Sequence, residues 1–245
     1  MSERNQAERI QAFDMELADR ALKEIEEFGV CMELADRALK GIEEFGVWLE
    51  EQPTKAIWFK NILICLLNAL LREYRSLRVG FKKSTPLLAW ACRNMLELNI
   101  YTKYALLKGS NAKEFVDDRW IDAIEIFSSF RKWINFYSPD GTTPELDRTI
   151  TNFSEEKAKQ GITRTKYLRM DTMAAAVNLS EEYKHINKVA SKLVHPTAFS
   201  VLGPFDEGEL GQLKPILFNN GVRFWVEAFA DIRDYVIKNG VEPLP

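Results

Sequence analysis

Histidine is scarce in this chain: 245 residues contain two, His185 and His195, both within the stretch HINKVASKLVHPTAFSVL. Two cannot build a three-histidine zinc site, and ten residues of helix set them roughly 80° off a common face. Glu182 and His185 form one E-x-x-H, but the second such motif of a di-iron helical bundle is missing. No metal and no cofactor is therefore expected. The three cysteines, Cys31, Cys65 and Cys92, are odd in number, far apart and without a C-x-x-C. That argues against a disulfide framework or a zinc finger and fits a reducing, cytoplasmic setting. The longest apolar run, ILICLLNALL at 62–71, is about half of the ~20 residues a membrane span needs. The opening MSERNQAERIQAF lacks the apolar centre of a signal peptide, so no membrane partner is expected. G-x-x-x-x-G-K-[ST], G-x-G-x-x-G and G-x-S-x-G are all absent, which excludes the usual phosphate loops and the strand-borne serine nucleophile. Alternation of the strand type is missing at any useful length; TAFSVL at 197–202 is the one ambiguous piece.

What is present is helix. Hydrophobic residues make up 46%, and fifteen Phe, seven Tyr and six Trp supply bulky core groups. Breakers and caps divide the chain. Pro53 ends the N-terminal helical region, and a helix from Thr54 to Arg78 is stopped by Gly80. Ser84 or Thr85 caps the next, with Pro86 in its first turn and Gly109 at its end. Asn111 with Glu114 reads as a capping box opening a helix to Tyr137. Further helices are expected from TTPELD to Gly161, over 172–178, over 181–195 before Pro196, and over 222–238 before Gly240. The expected fold is all-α, a single bundle of about seven to nine helices.

Net charge is −3, no global case for nucleic acid, but residues 1–51 hold 14 acids against 6 bases. The same segment carries a near-perfect tandem duplication: MELADRALKEIEEFGV at 15–30 returns as MELADRALKGIEEFGV at 32–47, with Glu24 against Gly41 the only change. A 17-residue shift turns an ideal helix face by roughly 100°, so one straight helix cannot aim both copies at one core. One copy is expected to be dispensable for folding. The expected organisation is an acidic helical arm at 1–52 attached to a bundle at 53–245.

The candidate site lies in PLLAWACRNMLELNIYTKYALL, a helix apolar nearly all round and so expected at the centre. Trp90, Arg93, Glu97, Tyr101 and Tyr104 recur at spacings of 3, 4, 4 and 3 and share one face. Arg93 and Glu97 are placed to pair. Interior charges are costly unless satisfied, and such pairs either lock helix register or line a polar pocket. His195, ahead of a proline, belongs at a helix end, where the negative pole favours an imidazolium; Ser191 is one turn back. The ligand-binding candidates are Arg93, Glu97, Tyr101, Ser191 and His195, with no catalytic residue assigned. Of two basic clusters, Arg72/Arg75/Arg78/Lys82/Lys83 gathers at a helix C-terminus, where cations are favoured, and Lys157/Lys159/Arg164/Lys166/Arg169, with Tyr167 among them, reads either as a solvated face or as a weak RNA surface.

RNMLE in a buried helix followed by SKLVHPTAFSVL resembles an uncharacterised group of bacterial all-helical proteins with Arg-x-x-x-Glu and Ser-x-x-x-His-Pro motifs. The matching residues are Arg93, Glu97, Ser191, His195 and Pro196, and the likeness spans roughly 85 to 200. The chain also distantly resembles the HEPN superfamily of helical RNases and nucleotide-binding domains of toxin and phage-defence systems. HEPN RNases carry an arginine and a histidine with four to six residues between them; neither histidine here has an arginine four to seven positions upstream. The expected function is a non-catalytic helical module, forming a homodimer, that binds a small ligand or a protein partner around Arg93, Glu97 and His195. The alternative the resemblance implies is a diverged HEPN-like nuclease or defence effector acting on RNA.

Overall fold

The computed structural model describes residues 32–138, 143–195, 197 and 212–245. Eight helices are present among the described residues, and no strand: α1 (Met32–Glu51), α2 (Ile57–Lys83), α3 (Thr85–Leu107), α4 (Gly109–Tyr137), α5 (Pro144–Lys159), α6 (Met170–Ala176), α7 (Ser180–Val194) and α8 (Leu213–Asn239). The fold is all-α, as composition and capping lead one to expect.

The α3 helix is the axis of the bundle, touching α2, α4, α6, α7 and α8. Its near-uniform apolarity is the cause: Leu88, Ala89, Ala91, Cys92, Met95, Leu96 and Ile100 point to different neighbours and are all fully buried. The α8 helix packs on both α2 and α3, where Tyr74 and Trp225 stack with ring centroids 4.2 Å apart. The α1 helix lies on α2 and reaches α8 through Phe45, whose ring meets Phe229 edge-on at 5.5 Å. The second copy of the duplication, 32–47, lies within α1 and supplies Ile42 and Phe45 to the core. The first copy, 15–30, lies outside the described residues.

Polar contacts between helices fix the register of the core. On α3, Asn94 donates to Glu73 of α2 (3.2 Å), Asn99 to Glu227 of α8 (2.8 Å) and Lys103 to Asp231 of α8 (2.6 Å). At the base, the Tyr235 hydroxyl donates to the Glu242 carbonyl (2.7 Å) and accepts from the Leu244 amide (2.9 Å). The Gly109 amide donates to the Leu244 carbonyl (2.7 Å). The C-terminal tail thereby ties α8 to the start of α4.

Several helix ends follow their caps. Ser84 Oγ accepts from the Leu87 amide (3.3 Å), with Pro86 in the first turn, and Gly161 and Gly240 take left-handed φ values at helix ends. Asn178 (φ 60°) ends α6 in a Schellman turn: the Leu179 amide bonds Ala174 O (2.8 Å) and the Asn178 amide bonds Ala175 O (3.3 Å).

Three boundaries differ from the sequence expectation. The α2 helix runs through Gly80 to Lys83, because Gly80 marks a close approach of two backbones rather than a stop: a Cβ there would sit 2.5 Å from Leu88 N. The α4 helix opens at Gly109, not at Asn111; the Asn111 amide group instead donates to Tyr104 O (3.1 Å) across the α3–α4 turn. The α8 helix begins at Leu213, nine residues before Val222, because burial of Leu217, Phe218 and Gly221 outweighs the poor helix propensity of Gly221. Residues 139–142, which hold all of the SPDG turn but Ser138, and the stretch from 198 to 211 lie outside the described residues.

Candidate functional site

The candidate face is built where α4 and α7 lean on α3 and the 160–169 connection folds onto α4. Arg93 Nε lies 2.9 Å from Glu97 Oε1, with side chains 32% and 22% exposed, so the pair is half-buried rather than sealed in the core. One turn on, Tyr101 stacks at a tilt on Phe115 of α4, centroids 4.7 Å apart. Burial first, then the charges of Glu97, Asp122 and Asp118, push the Tyr101 phenol up to about 12. Tyr183 of α7 shares the Glu97 charge; burial and Glu97 raise its phenol while Arg93 opposes them. Arg93, Glu97, Tyr101 and Tyr183 thus form one cluster. Trp90, expected on the same face, is 42% exposed at its edge.

Ser191 and His195 stand farther along. Ala176, Val177 and Asn178 share a small cleft with Lys103, Leu106 and Leu107, so α7 starts beside the end of α3 and runs antiparallel to it. From Tyr183 to Ser191 and His195, eight and twelve residues advance the chain about 12 and 18 Å. That carries His195 toward the beginning of α3. His195 is the C-cap of α7, with extended backbone (φ −86°, ψ 149°) and its amide bonded to Ser191 O (3.1 Å). Its exposed ring is at the pole where a cation is favoured. His185 is exposed and 3.2 Å from Glu181; among the described residues no group of histidine, cysteine and acidic side chains could hold a metal ion.

A second set of polar groups adjoins Tyr101. Asp118 of α4 is buried; its Oδ2 accepts from the Leu168 amide (2.8 Å), and its Oδ1 lies 2.7 Å from Arg164 Nη2. Oδ1 has no well-aligned hydrogen bond, so the Arg164 contact is an ion pair by distance alone. Arg164 also donates to Glu114 O (2.8 Å) and Lys166 O (3.3 Å), which staples the 160–169 connection to α4. Burial raises the Asp118 carboxyl, against the Leu168 amide and the Arg164 charge. Asp122, one turn on, is raised by burial, then by the charges of Asp118 and Glu125. The Tyr104 hydroxyl donates to Glu114 Oε2 (2.9 Å); burial, then Glu114, pushes that phenol up to about 12.

These residues border a groove of about 770 Å³ between the first half of α2 and the first half of α4. Trp58, Tyr101, Phe115 and Trp120 supply its aromatic walls, and Lys113, Asp117, Asp118, Arg119 and Asp122 its charges. Most of those charges are matched. Lys113 pairs with Asp117, Asp118 with Arg164, and the Arg119 guanidinium lies 4.4 Å over the Trp120 ring. Asp122 has no hydrogen-bond or ion-pair partner among the described residues. Of the second basic cluster, Lys159 pairs with Glu156 (2.6 Å), Arg169 with Asp171 (2.5 Å) and Arg164 with Asp118.

A family model for DUF5677, a family of unknown function, matches residues 60–210. The chain belongs to this family. No curated protein and no solved structure matches it. The DUF5677 segment contains the whole polar cluster, from Arg93 to His195, and most of the groove. The α1 and α8 helices, which complete the core under the site, lie outside it. Sequence reasoning found Arg93, Glu97 and Tyr101 by their helical spacing but passed over Asp118 and Asp122. Their i,i+4 spacing on an amphipathic helix was visible in FVDDRWIDAIE; the folding of Arg164 onto them was not.

Proposed function

We propose that this protein is a non-catalytic binding module for a small organic cation, held in the groove between α2 and α4. Asp122 is the anchor, and the rings of Tyr101, Trp58 and Trp120 are the walls. The observation that carries this reading is the Asp122 carboxylate, exposed at an aromatic groove and without a hydrogen-bond or ion-pair partner among the described residues, where Lys113, Asp117 and Asp118 are all paired. Its volume lies within the range typical of small-ligand sites, about 300–1,000 Å³. A cation there gains the Asp122 charge and the negative faces of the Tyr101 and Trp58 rings together, the Trp120 ring already lying under the Arg119 guanidinium. It also relieves the repulsion that Asp118 and Glu125 exert on Asp122, whose carboxyl is raised first by burial and then by those charges. Arg93 and Glu97 act from behind, where the Glu97 charge helps keep the Tyr101 phenol neutral.

The test uses two probes of equal size and opposite charge, benzylammonium and benzoate, followed by calorimetry and thermal melting. Benzylammonium raises the melting temperature and benzoate does not. Asp122→Asn removes the benzylammonium response with an unchanged circular dichroism spectrum. Equal responses to both probes, or an unaltered response in Asp122→Asn, would refute the assignment.

A further inference from the structure

The second half of α4 carries an apolar face that no other helix among the described residues covers. Beyond Ile121, α4 has no buried residue, and neither does α5. The two form a helical hairpin closed by Trp120, Phe127 and Phe153, with ring centroids 5.6–5.8 Å apart, and latched by Arg131–Asp147 at 2.7 Å. A second apolar stripe runs along α4 roughly 100° round from that seam. It consists of Ile126, Phe130, Trp133 and Tyr137, each 50% to 69% exposed, with Phe136 beside them at 78%. Apolar residues scattered singly need no explanation, but a contiguous patch does.

We propose that this stripe is the contact surface for a second copy of the chain, pairing α4 with α4 in an antiparallel two-fold dimer. The spacing of 4, 3 and 4 is that of the a and d positions of a coiled-coil seam, which is self-complementary. A two-fold axis between residues 131 and 132 sets Phe130 of one copy against Trp133 of the other, and Ile126 against Tyr137. This isologous arrangement closes on itself without exposing a further patch. The two bundles fall at opposite ends of the paired helices, with Tyr167 of each copy at the edge of the seam beside its own Ile126, Phe130 and Trp133. At their observed exposures the five side chains offer about 600 Å² per copy, taking roughly 200 Å² for a whole aromatic side chain. Two faces then bury on the order of 1,200 Å², above the ~1,000 Å² that a specific interface requires. The inference rests on the hairpin alone and does not depend on the cation-binding reading.

Sedimentation equilibrium of the full chain between about 1 and 100 μM, where an interface of this size can hold, measures the outcome. The expected mass is twice 28.3 kDa. Phe130→Glu and Trp133→Lys each give a monomer with unchanged helical circular dichroism. Mixing the two variants restores a heterodimer, because one crossing becomes a Glu–Lys pair and the other keeps its native Trp133–Phe130 contact. A wild-type monomer throughout the range, dimers that persist in both variants, or a mixture that stays monomeric each overturns the proposal. So does a chain that dimerises only after residues 1–31 are removed, since that assigns the stripe to the chain's own N-terminal segment.

Discussion

Replacing Gly80 by alanine inverts the usual effect of that change in a helix. Gly80 lies inside α2, where alanine is favoured over glycine by about 1 kcal/mol. A Cβ at this position would stand 2.5 Å from Leu88 N, 2.6 Å from Leu88 Cα and 3.0 Å from Leu87 C. All three are backbone atoms of α3, so no side-chain rotation relieves the overlap. Leu88 is fully buried, and the α2–α3 connection is a tight one at Ser84. The beginning of α3 must therefore move by about 1 Å, at a cost near the upper end of the 1–3 kcal/mol seen for overpacked cores. Set against the gain in helix propensity, the net loss is about 2 kcal/mol. Gly46 is the matched control: it too is helical, and nothing lies within 4 Å of its added Cβ. Urea denaturation followed by circular dichroism reads the difference. With a slope of about 2 kcal/mol per molar, Gly80→Ala lowers the midpoint by about 1 M, while Gly46→Ala leaves it unchanged or raises it. Equal midpoints for the two variants would mean that α2 and α3 do not approach at Gly80, and the reasoning fails.

Two further outcomes follow from the core. Deleting residues 1–31 leaves the urea midpoint unaltered, whereas Phe45→Ala, in the copy that packs on Phe229, costs about 3–5 kcal/mol; a deletion as damaging as Phe45→Ala would show that both copies are needed. Burial pushes the Cys92 thiol from 9.0 up to about 12, against an opposing Arg223 charge, so the folded state holds it neutral where the unfolded state ionises. Its contribution is complete below pH 9 and is lost toward pH 12 at about 1.4 kcal/mol per pH unit, with Tyr101 adding to the loss above pH 10. Cys92→Ala flattens the first part of that slope, and a wild-type stability that stays level from pH 9 upward contradicts the burial argument.

Local sequence was a good guide wherever one residue's chemistry decides an event. Ser84 caps α3, Gly161 and Gly240 take left-handed turns, and Pro53 falls just past the end of α1. It misled where glycine or asparagine served a distant partner. Gly80 and Gly221 lie inside helices because Leu88 and Leu77 come so near, and Asn111 bonds a carbonyl on the preceding helix rather than capping its own. The site divides in the same way. The Arg93–Glu97 pair is an i,i+4 relation and could be written down from RNMLE. Asp118, Arg164 and Leu168 are separated by up to fifty residues, and nothing in the spacing of either segment announces that they meet.

From its residues alone, then, this chain is bound to be helical, because its apolar groups recur with the period of a helix and its breakers stand between them. They also dictate which helix is central: α3 is apolar nearly all round and is stable only when surrounded. Among the described residues, which carboxylate has no partner, which aromatic stripe has no helix over it, and which glycine marks a crossing were decided by tertiary packing. Those properties belong to pairs of surfaces, and a surface acquires its neighbour only when distant segments compete to bury the same apolar area.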